Sequence, residues 1–291
     1  MTEHITLSPD RRPRDDEIET YGLTHTGKVR SNNQDHFLLA TIHRRVDILQ
    51  TSLPDAARLE VNDERLAFLA MVADGVGGAV GGEKASATAL ENAMHYVGSS
   101  MRCYDRGEVS DAEFVEQLQE AAIKSHEAVV ARAAVEADGR TMATTLTLYL
   151  GVWPWFYLLQ VGDSRAYLYR EGVLTQVTRD QTMAQDLVDQ GVFTRAVAAS
   201  SRLANVLSSS IGGETTTPVV TRLRSSWRNV HLFCSDGLTK HVSDEKIAER
   251  LAAMTSAKQV CEQLLQDALD DGGTDNITII VGRAMPKDLP G

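Results

Sequence analysis

The order of its predicted secondary-structure elements constrains the fold of this chain more than any other feature. Short segments rich in β-branched and aromatic residues are typical of strands, and they cover residues 20–25, 36–42, 66–73, 143–152, 155–162, 165–170, 173–178, 218–223, 229–235 and 276–284. Alanine-rich segments with apolar residues at three- and four-residue spacing predict two pairs of helices, over 83–101, 110–137, 243–254 and 256–273. Strands and helices that are segregated in this way indicate an α+β fold with antiparallel sheets.

The 291 residues are interpreted as one folded domain, over 19–285, between two short terminal segments. Residues 1–18 carry dense charge and two prolines, which predicts a flexible leader, and residues 286–291 are interpreted as a tail. Two stretches, 43–65 and 191–217, match neither helix nor strand. Long irregular segments of this kind are often functional, so both are interpreted as surface insertions.

Composition and charge exclude several classes of partner. The formal net charge is −11, and the basic runs are short, such as residues 11–14, so we expect no binding to nucleic acid. No apolar stretch reaches the roughly 20 residues that span a bilayer, and the polar start of the chain lacks the apolar core of a signal peptide. The three cysteines stand far apart without a CxxC pair, which argues against a disulfide framework or a thiolate zinc site. We therefore expect a cytoplasmic protein without a membrane partner.

A carboxylate recurs at the ends of the strand-like segments. The five positions are Asp35, Asp74, Asp163, Asp236 and Asp275. Strand ends of a packed sheet can meet at one rim, where several carboxylates would repel one another unless a cation offset their charge. Carboxylate oxygens suit a hard divalent ion such as Mg²⁺ or Mn²⁺. Each aspartate alone could be an ordinary turn residue, and it is the repetition that favours a metal site.

Six segments, taken in order, resemble the PP2C (PPM) family of metal-dependent protein serine/threonine phosphatases, in its compact bacterial branch. They read GKVRSNNQDHFL, MVADGVGG, ATTLTLYL, VGDSRAYLYR, CSDGL and GGTDNITIIV, and they span roughly residues 20 to 283. The resemblance implies a four-layer αββα sandwich, in which two stacked antiparallel sheets are each covered by a pair of helices. It also implies that residues 178–217 form a variable flap beside the active site.

The same resemblance implies a binuclear Mg²⁺ or Mn²⁺ centre at one end of the sandwich. Asp74 would bridge the two ions, and Gly75 would offer its backbone carbonyl. Asp236 and Asp275 would hold one ion, and Asp35 would act at the other through water. Each of these assignments is carried over from the position of the residue within a matching segment.

Two further positions complete the implied site. Asp163, together with Asp236, matches a pair that binds a weaker third ion in this family. Arg30 stands where the family keeps a phosphate-binding arginine, whose planar fork can pair two phosphate oxygens at once. The implied reaction is the hydrolysis of phosphoserine or phosphothreonine in proteins by a metal-bridged hydroxide, with Arg30, Asp74 and Asp236 as catalytic residues. The implied partners are a phosphorylated protein and a cognate Ser/Thr kinase system, and we expect a monomer.

The sequence departs from the family pattern at two places and leaves alternatives open. Val76 stands where some members have a histidine that protonates the leaving oxygen, and Gln34 stands where a glutamate is common. Cys234 is interpreted as a small core residue rather than a nucleophile. A non-catalytic metal-binding domain with the same fold and a phosphatase of small phosphate esters both stay open. A nucleotide-binding loop is disfavoured, because GVGGAVGGEKAS lacks the Gly-Lys pair of such loops.

Overall fold

The structure of the protein, a computed structural model, describes residues 11–44, 64–76, 81–105, 110–136 and 142–287. Its strands are β1 Ile18–His25, β2 His36–Arg44, β3 Glu64–Ala73, β4 Gly75–Val76, β5 Ala143–Thr144, β6 Leu146–Val152, β7 Trp155–Val161, β8 Arg165–Arg170, β9 Val173–Gln176, β10 Val219–Arg224, β11 Val230–Cys234 and β12 Ile277–Ala284. Its α-helices are α1 Gly81–Asp105, α2 Asp111–Glu136, α3 Met183–Asp189, α4 Arg195–Ser200, α5 Asp236–Thr239, α6 Asp244–Ala252 and α7 Ala257–Asp270. Short 3₁₀ turns cover Asp15–Glu17 and Arg202–Asn205.

Ten of these strands form two five-stranded sheets. The first sheet has the strand order β1-β12-β11-β8-β9, and the second has the order β10-β7-β6-β3-β2. Neighbouring strands in both sheets run antiparallel. The short strands β4 and β5 pair with each other at the end of the second sheet, where Gly75 lies opposite Thr144.

The two sheets stack face to face, and alternation along each strand separates the layers. In β3, Leu69 and Met71 belong to the cluster shared with α1 and α2, whereas Ala70 and Val72 face the other sheet. In β12, Ile280 faces the second sheet, while its neighbours in sequence belong to the cluster shared with α6 and α7. Successive side chains of a strand point to opposite faces, so each inner strand contributes to two buried layers. The predicted α+β fold, a four-layer αββα sandwich, is confirmed.

Two local features of the sequence, the capping residues of α2 and the turn between β8 and β9, have clear counterparts in the structure. Helix α2 begins with a reciprocal cap: the Ser110 backbone N–H donates to Glu113 Oε2 at 2.7 Å, and the Glu113 N–H donates to Ser110 Oγ at 3.3 Å. A hairpin joins β8 to β9 through two residues, with Arg170 opposite Val173. No helix in the described part of the chain is long and apolar enough to cross a membrane.

The stretch 191–217, which matches no element in the sequence, contains α4 and a 3₁₀ turn. Both elements are too short for apolar periodicity to show, but each has a capping side chain: Thr194 Oγ1 accepts from the Val197 N–H, and Ser201 Oγ accepts from the Leu203 N–H. The other irregular stretch lies mainly outside the described residues, at 45–63.

The described part of the expected leader, residues 11–18, is packed against the domain. Glu17 is 2% exposed, and its carboxylate accepts bonds from the Arg11 guanidinium at 2.7 and 2.9 Å and from the Arg14 backbone N–H at 2.8 Å. Ile18 already belongs to β1. The dense charge of residues 11–18 therefore does not make this segment flexible, because its charged side chains pair with one another. Residues 1–10 lie outside the described residues.

Candidate metal centre and active site

Antiparallel pairing brings the predicted aspartates to one end of the sandwich. Because β2 and β3 run antiparallel, Asp35, immediately before β2, lies at the same end as Asp74, immediately after β3. The same holds for Asp236 after β11 and Asp275 before β12. Asp163 follows β7, whose pairing with β6 places it at this end as well.

A cavity of about 870 Å³ opens at this end of the stacked sheets. Its walls include the predicted residues Arg30, Asp74, Gly75, Asp163, Asp236 and Asp275. Asp35 does not line the cavity. It is only 3% exposed, and its Oδ2 accepts a hydrogen bond from Thr278 Oγ1 at 2.8 Å. Six of the seven predicted site residues thus meet in one cavity, and the seventh is buried.

Burial and mutual repulsion perturb the carboxylates at the rim. Burial raises the pKa of Asp74 well above its ordinary value, and the charges of Asp35 and Asp236 raise it further. Burial likewise raises the pKa of Asp163 to about 8 and that of Asp35 to about 6, with the Asp236 charge adding to both shifts. A cation bound among these carboxylates would offset both the cost of their burial and their mutual repulsion.

Two basic side chains already engage part of the carboxylate group. Lys240 Nζ lies 2.6 Å from Asp236 Oδ2 and 2.8 Å from Asp275 Oδ2. Arg30 pairs with Asp275 through Nε at 2.8 Å and Nη2 at 2.9 Å. Although burial opposes it, these hydrogen bonds hold the pKa of Asp275 below its ordinary value. Lys240 is not among the residues predicted from the sequence, although its position four residues after Asp236 in a helical segment predicts contact between the two.

The donor set at the rim fits a hard divalent cation. Asp35 Oδ1 and Asp236 Oδ1 are buried without a hydrogen-bond partner in the structure, an arrangement that costs free energy unless a cation or water satisfies them. The Gly75 backbone is closely packed as well, since a Cβ there would lie 2.4 Å from the Gly82 carbonyl oxygen. A side chain at this position would therefore disturb the turn that brings the Gly75 backbone into the wall.

Coordination of an ion by Asp236 and Asp275 requires a change of partners. Among the residues that the structure describes, no three Asp, Glu, His or Cys side chains stand together as a ready metal site. Instead, one oxygen of Asp236 and both oxygens of Asp275 are engaged by Lys240 and Arg30. An ion that binds these oxygens would release both basic side chains toward the cavity.

The segment that carries Arg30 is tied to the start of β12. Asn276 Nδ2 donates to the carbonyl oxygens of Thr26 and Asn32, each at 2.9 Å, and Asn276 Oδ1 accepts from the Gln34 N–H at 2.9 Å. Asn276 therefore positions its neighbours. Because the amide joins two chain segments that are distant in sequence, it fixes Arg30 relative to Asp275.

A histidine that the sequence analysis did not single out also lines the cavity. His241 Nδ1 lies 2.9 Å from Asp271 Oδ2, and the Thr274 N–H donates to His241 Nε2 at 2.9 Å. Both ring nitrogens are engaged, so His241 holds the turn before Asp275 and has no free proton for a substrate. Two other histidines close to the matching segments, His25 and His36, are not among the lining residues.

Two other sequence interpretations can be placed on the structure. Cys234 is fully buried in β11, and burial raises the pKa of its thiol to about 12, which suits a core residue and not a nucleophile. The expected flap lies beside the cavity, since Asn205, Val206 and Leu207 form part of its wall.

The stacked sheets and the carboxylate-lined cavity place the chain in the class of αββα proteins with an acidic site at one end of the sandwich. A family profile described as Protein phosphatase 2C matches residues 43–271, and the chain therefore belongs to this family. The serine/threonine protein phosphatase PstP of Mycobacterium tuberculosis is 34% identical over 222 residues, which cover 76% of this chain and 41% of PstP. The chain thus spans about two fifths of the length of that relative.

Two further similarities agree with this result. The serine/threonine phosphatase stp of Listeria innocua is 29% identical over 217 residues, which cover 73% of this chain and 83% of stp. The crystal structure of the PstP catalytic domain in complex with two manganese ions superposes with a TM-score of 0.70 at 28% identity, covering 92% of this chain and 99% of that domain.

Proposed function

We propose that this chain is a metal-dependent protein phosphatase that hydrolyses phosphoserine and phosphothreonine in proteins. The observation that carries the proposal is the convergence of Asp74, Asp236, Asp275 and Arg30 on one cavity. Membership of the Protein phosphatase 2C family supports it, as do the names of the relatives. We assign the activity to a domain over residues 19–285.

The proposed cofactor is a pair of Mn²⁺ or Mg²⁺ ions at the rim, with a weaker third ion beside them. The proposed metal residues are Asp35, Asp74, Gly75, Asp163, Asp236 and Asp275, of which Asp163 and Asp236 would hold the third ion. Such ions would lower the pKa of water and would place positive charge near the phosphoryl oxygens. The manganese-bound structure of PstP and the unpartnered buried oxygens of Asp35 and Asp236 support this part of the proposal.

The residues of the chain itself would bind and orient the phosphoryl group. Arg30 is held at the cavity wall by Asp275. If Asp275 bound a metal ion instead, the planar guanidinium of Arg30 could pair with two phosphoryl oxygens. Lys240 would be released in the same exchange and would add a second positive charge close to the group being transferred. Val76 is 42% exposed in the cavity wall, and its aliphatic side chain has no acidic proton to donate. The leaving oxygen must therefore be protonated by a group other than residue 76.

The partners and the location belong to the same proposal. We propose a phosphoprotein substrate, a cognate Ser/Thr kinase that produces it, and a monomeric enzyme in the cytoplasm. The acidic net charge of −11 and the buried, free thiols of Cys234 and Cys261 support a reducing compartment without nucleic-acid partners.

The test is an assay of phosphate release from a phosphothreonine peptide after chelation, with Mn²⁺ added back. We expect activity that is lost with the chelator and restored by Mn²⁺, and we expect Asp236→Asn to abolish it. Asp270→Asn is the matched control, since it removes the same charge at an exposed position at the end of α7 that does not line the cavity. Full activity of Asp236→Asn, or activity that does not respond to the metal, would show that the site is misplaced.

The same assay separates the two alternatives. Turnover of para-nitrophenyl phosphate but of no phosphopeptide would favour a phosphatase of small esters. Saturable Mn²⁺ binding without turnover of either substrate would favour a non-catalytic metal-binding domain.

A further inference from the structure

A second cleft adjoins the catalytic cavity beneath the flap. It has a volume of about 770 Å³, and it shares the wall residues Asp163, Asn205, Asp236 and Lys240 with that cavity. One side of the cleft is formed by β8, β9 and the segment that follows them, and the other by α3, α4 and the 3₁₀ turn Arg202–Asn205. A chain segment whose phosphorylated side chain enters the catalytic cavity can therefore continue directly into this cleft.

The basic residues of the cleft differ in whether they already have a partner. Arg165 pairs with Asp180 through Nε at 3.0 Å and Nη2 at 2.8 Å. Arg179 is bonded to the carboxylates of α3, and Lys240 is bonded at the rim. Arg195 is exposed, and no carboxylate or other hydrogen-bond partner is found for it among the residues that the structure describes. Arg195 is thus the cation of this cleft that is free to bind an external anion.

None of the carboxylates that line the cleft pairs with Arg195. Asp180 and Asp236 are ion-paired with Arg165 and Lys240. Asp244 accepts a hydrogen bond from the Tyr167 hydroxyl at 2.9 Å and lies in the first turn of α6, where the helix dipole partly offsets its charge. The fourth carboxylate of the cleft, Asp163, is one of the proposed metal residues. On the side of the cleft formed by the flap, Arg195 is therefore the lining cation without a carboxylate partner among the described residues.

A second polar group stands where the cleft meets the catalytic cavity. The Asn205 side chain is exposed at this junction and lines both spaces. Its amide can donate and accept at once, which is the pairing that an extended peptide backbone offers. Val206 follows it and is 45% exposed in the wall of the catalytic cavity. The junction can therefore bind the backbone of a peptide that extends from the catalytic cavity into the cleft.

From these observations we propose that the cleft binds the substrate segment next to the phosphorylated residue, and that Arg195 selects an anionic group in that segment. The group is a carboxylate side chain or a second phosphate, since a guanidinium pairs with either. Asn205 positions the peptide backbone between the two spaces. The inference rests on the proposed phosphatase activity and adds to it a preference for phosphopeptides with anionic flanks.

The test compares kcat/KM for three phosphothreonine peptides that differ only in their flanks: uncharged, acidic, and carrying a second phosphoserine. We expect the wild-type chain to prefer both anionic peptides over the uncharged one by about fivefold, since a partly exposed charge pair contributes up to about 1 kcal/mol. Arg195→Gln is expected to abolish the preference, mainly through KM, and Arg195→Glu to reverse it toward a peptide with basic flanks. Arg195→Lys is expected to retain most of it.

Arg170→Gln is the control, because it removes the same charge at the far end of the β8–β9 hairpin. A preference that survives Arg195→Gln would overturn the inference, and so would a wild-type preference for basic flanks, which would point to Asp244 instead. A preference for the second phosphate alone would restrict the ligand to that source. Absence of turnover with every phosphopeptide would overturn the proposed function itself, and the inference would fall with it.

Discussion

Replacement of Gly237 by alanine tests how closely the two segments that carry Asp236 and Asp275 must approach. A Cβ at Gly237 would lie 1.9 Å from the Asn276 carbonyl oxygen and 2.9 Å from its carbonyl carbon. Close carbon–oxygen contacts in proteins lie at about 3.3 Å or more, so one segment must move by more than about 1 Å. The obstacle is backbone, which no rotamer change can remove.

The expected cost follows from this geometry. Overpacking in a tight interior costs typically about 1–3 kcal/mol, and we place Gly237→Ala at about 3 kcal/mol because the backbone must move. The movement also separates Asp236 from Asp275, and a misplacement of about 1 Å at a reacting centre can cost about a hundredfold in rate. We therefore expect a loss of both stability and phosphopeptide turnover.

The assay is urea-induced unfolding, together with calorimetric titration of Mn²⁺. Gly98→Ala is the matched control, since its added Cβ would have no atom within 4 Å apart from the adjacent backbone of its own helix, and it occupies the interior of α1. Alanine there should raise the unfolding free energy by about 0.5–1 kcal/mol. If Gly237→Ala unfolds within about 0.5 kcal/mol of wild type and binds Mn²⁺ equally well, the close approach described for this turn is refuted.

Two further predictions concern Arg30 and His231. Arg30→Ala should chiefly raise KM for a phosphopeptide, because it removes a phosphate-binding group, and steady-state kinetics with an unchanged KM would exclude that contact. Burial lowers the pKa of His231 to about 4 from an ordinary value of 6.5. Below pH 6.5, His231 therefore binds a proton in the unfolded chain but not in the folded chain. The unfolding free energy consequently falls as the pH drops toward 4, by up to about 3 kcal/mol. Urea unfolding at pH 7 and pH 4.5 should show a smaller loss for His231→Gln, and equal losses would contradict the assignment.

The elements that carry the fold were predictable because their periodicity is long and regular. Helices α1, α2, α6 and α7 each run for at least nine residues with one apolar face, and the strands alternate between two buried layers. The short elements at 183–205 were not predictable in this way, because helices of four to seven residues complete too few turns for a period to appear. Their capping side chains, such as Thr182 and Thr194, were the remaining signal.

The candidate site also contains some residues that were predictable from the sequence and others that were not. The aspartates were predictable because each stands at a strand end, and antiparallel pairing decides which ends meet. Lys240 has a local signal in its contact with Asp236, four residues before it, and that signal was overlooked. His241, and the contact of Lys240 with Asp275, could not be predicted, because their partners Asp271 and Asp275 lie 30 and 35 residues further along the chain. The burial of Asp35 was also beyond the sequence, since it depends on how β2 and β12 stack across the two sheets.

The most direct test of the central claim is calorimetric titration of the full chain with Mn²⁺ after removal of metals by chelation. We expect saturable binding of two ions per chain, with a weaker third, and loss of the tight binding in Asp74→Asn but not in Asp270→Asn. A chain that binds no Mn²⁺, or an Asp74→Asn variant that binds as many ions as tightly as the wild type, would contradict the claim that these carboxylates form one metal centre.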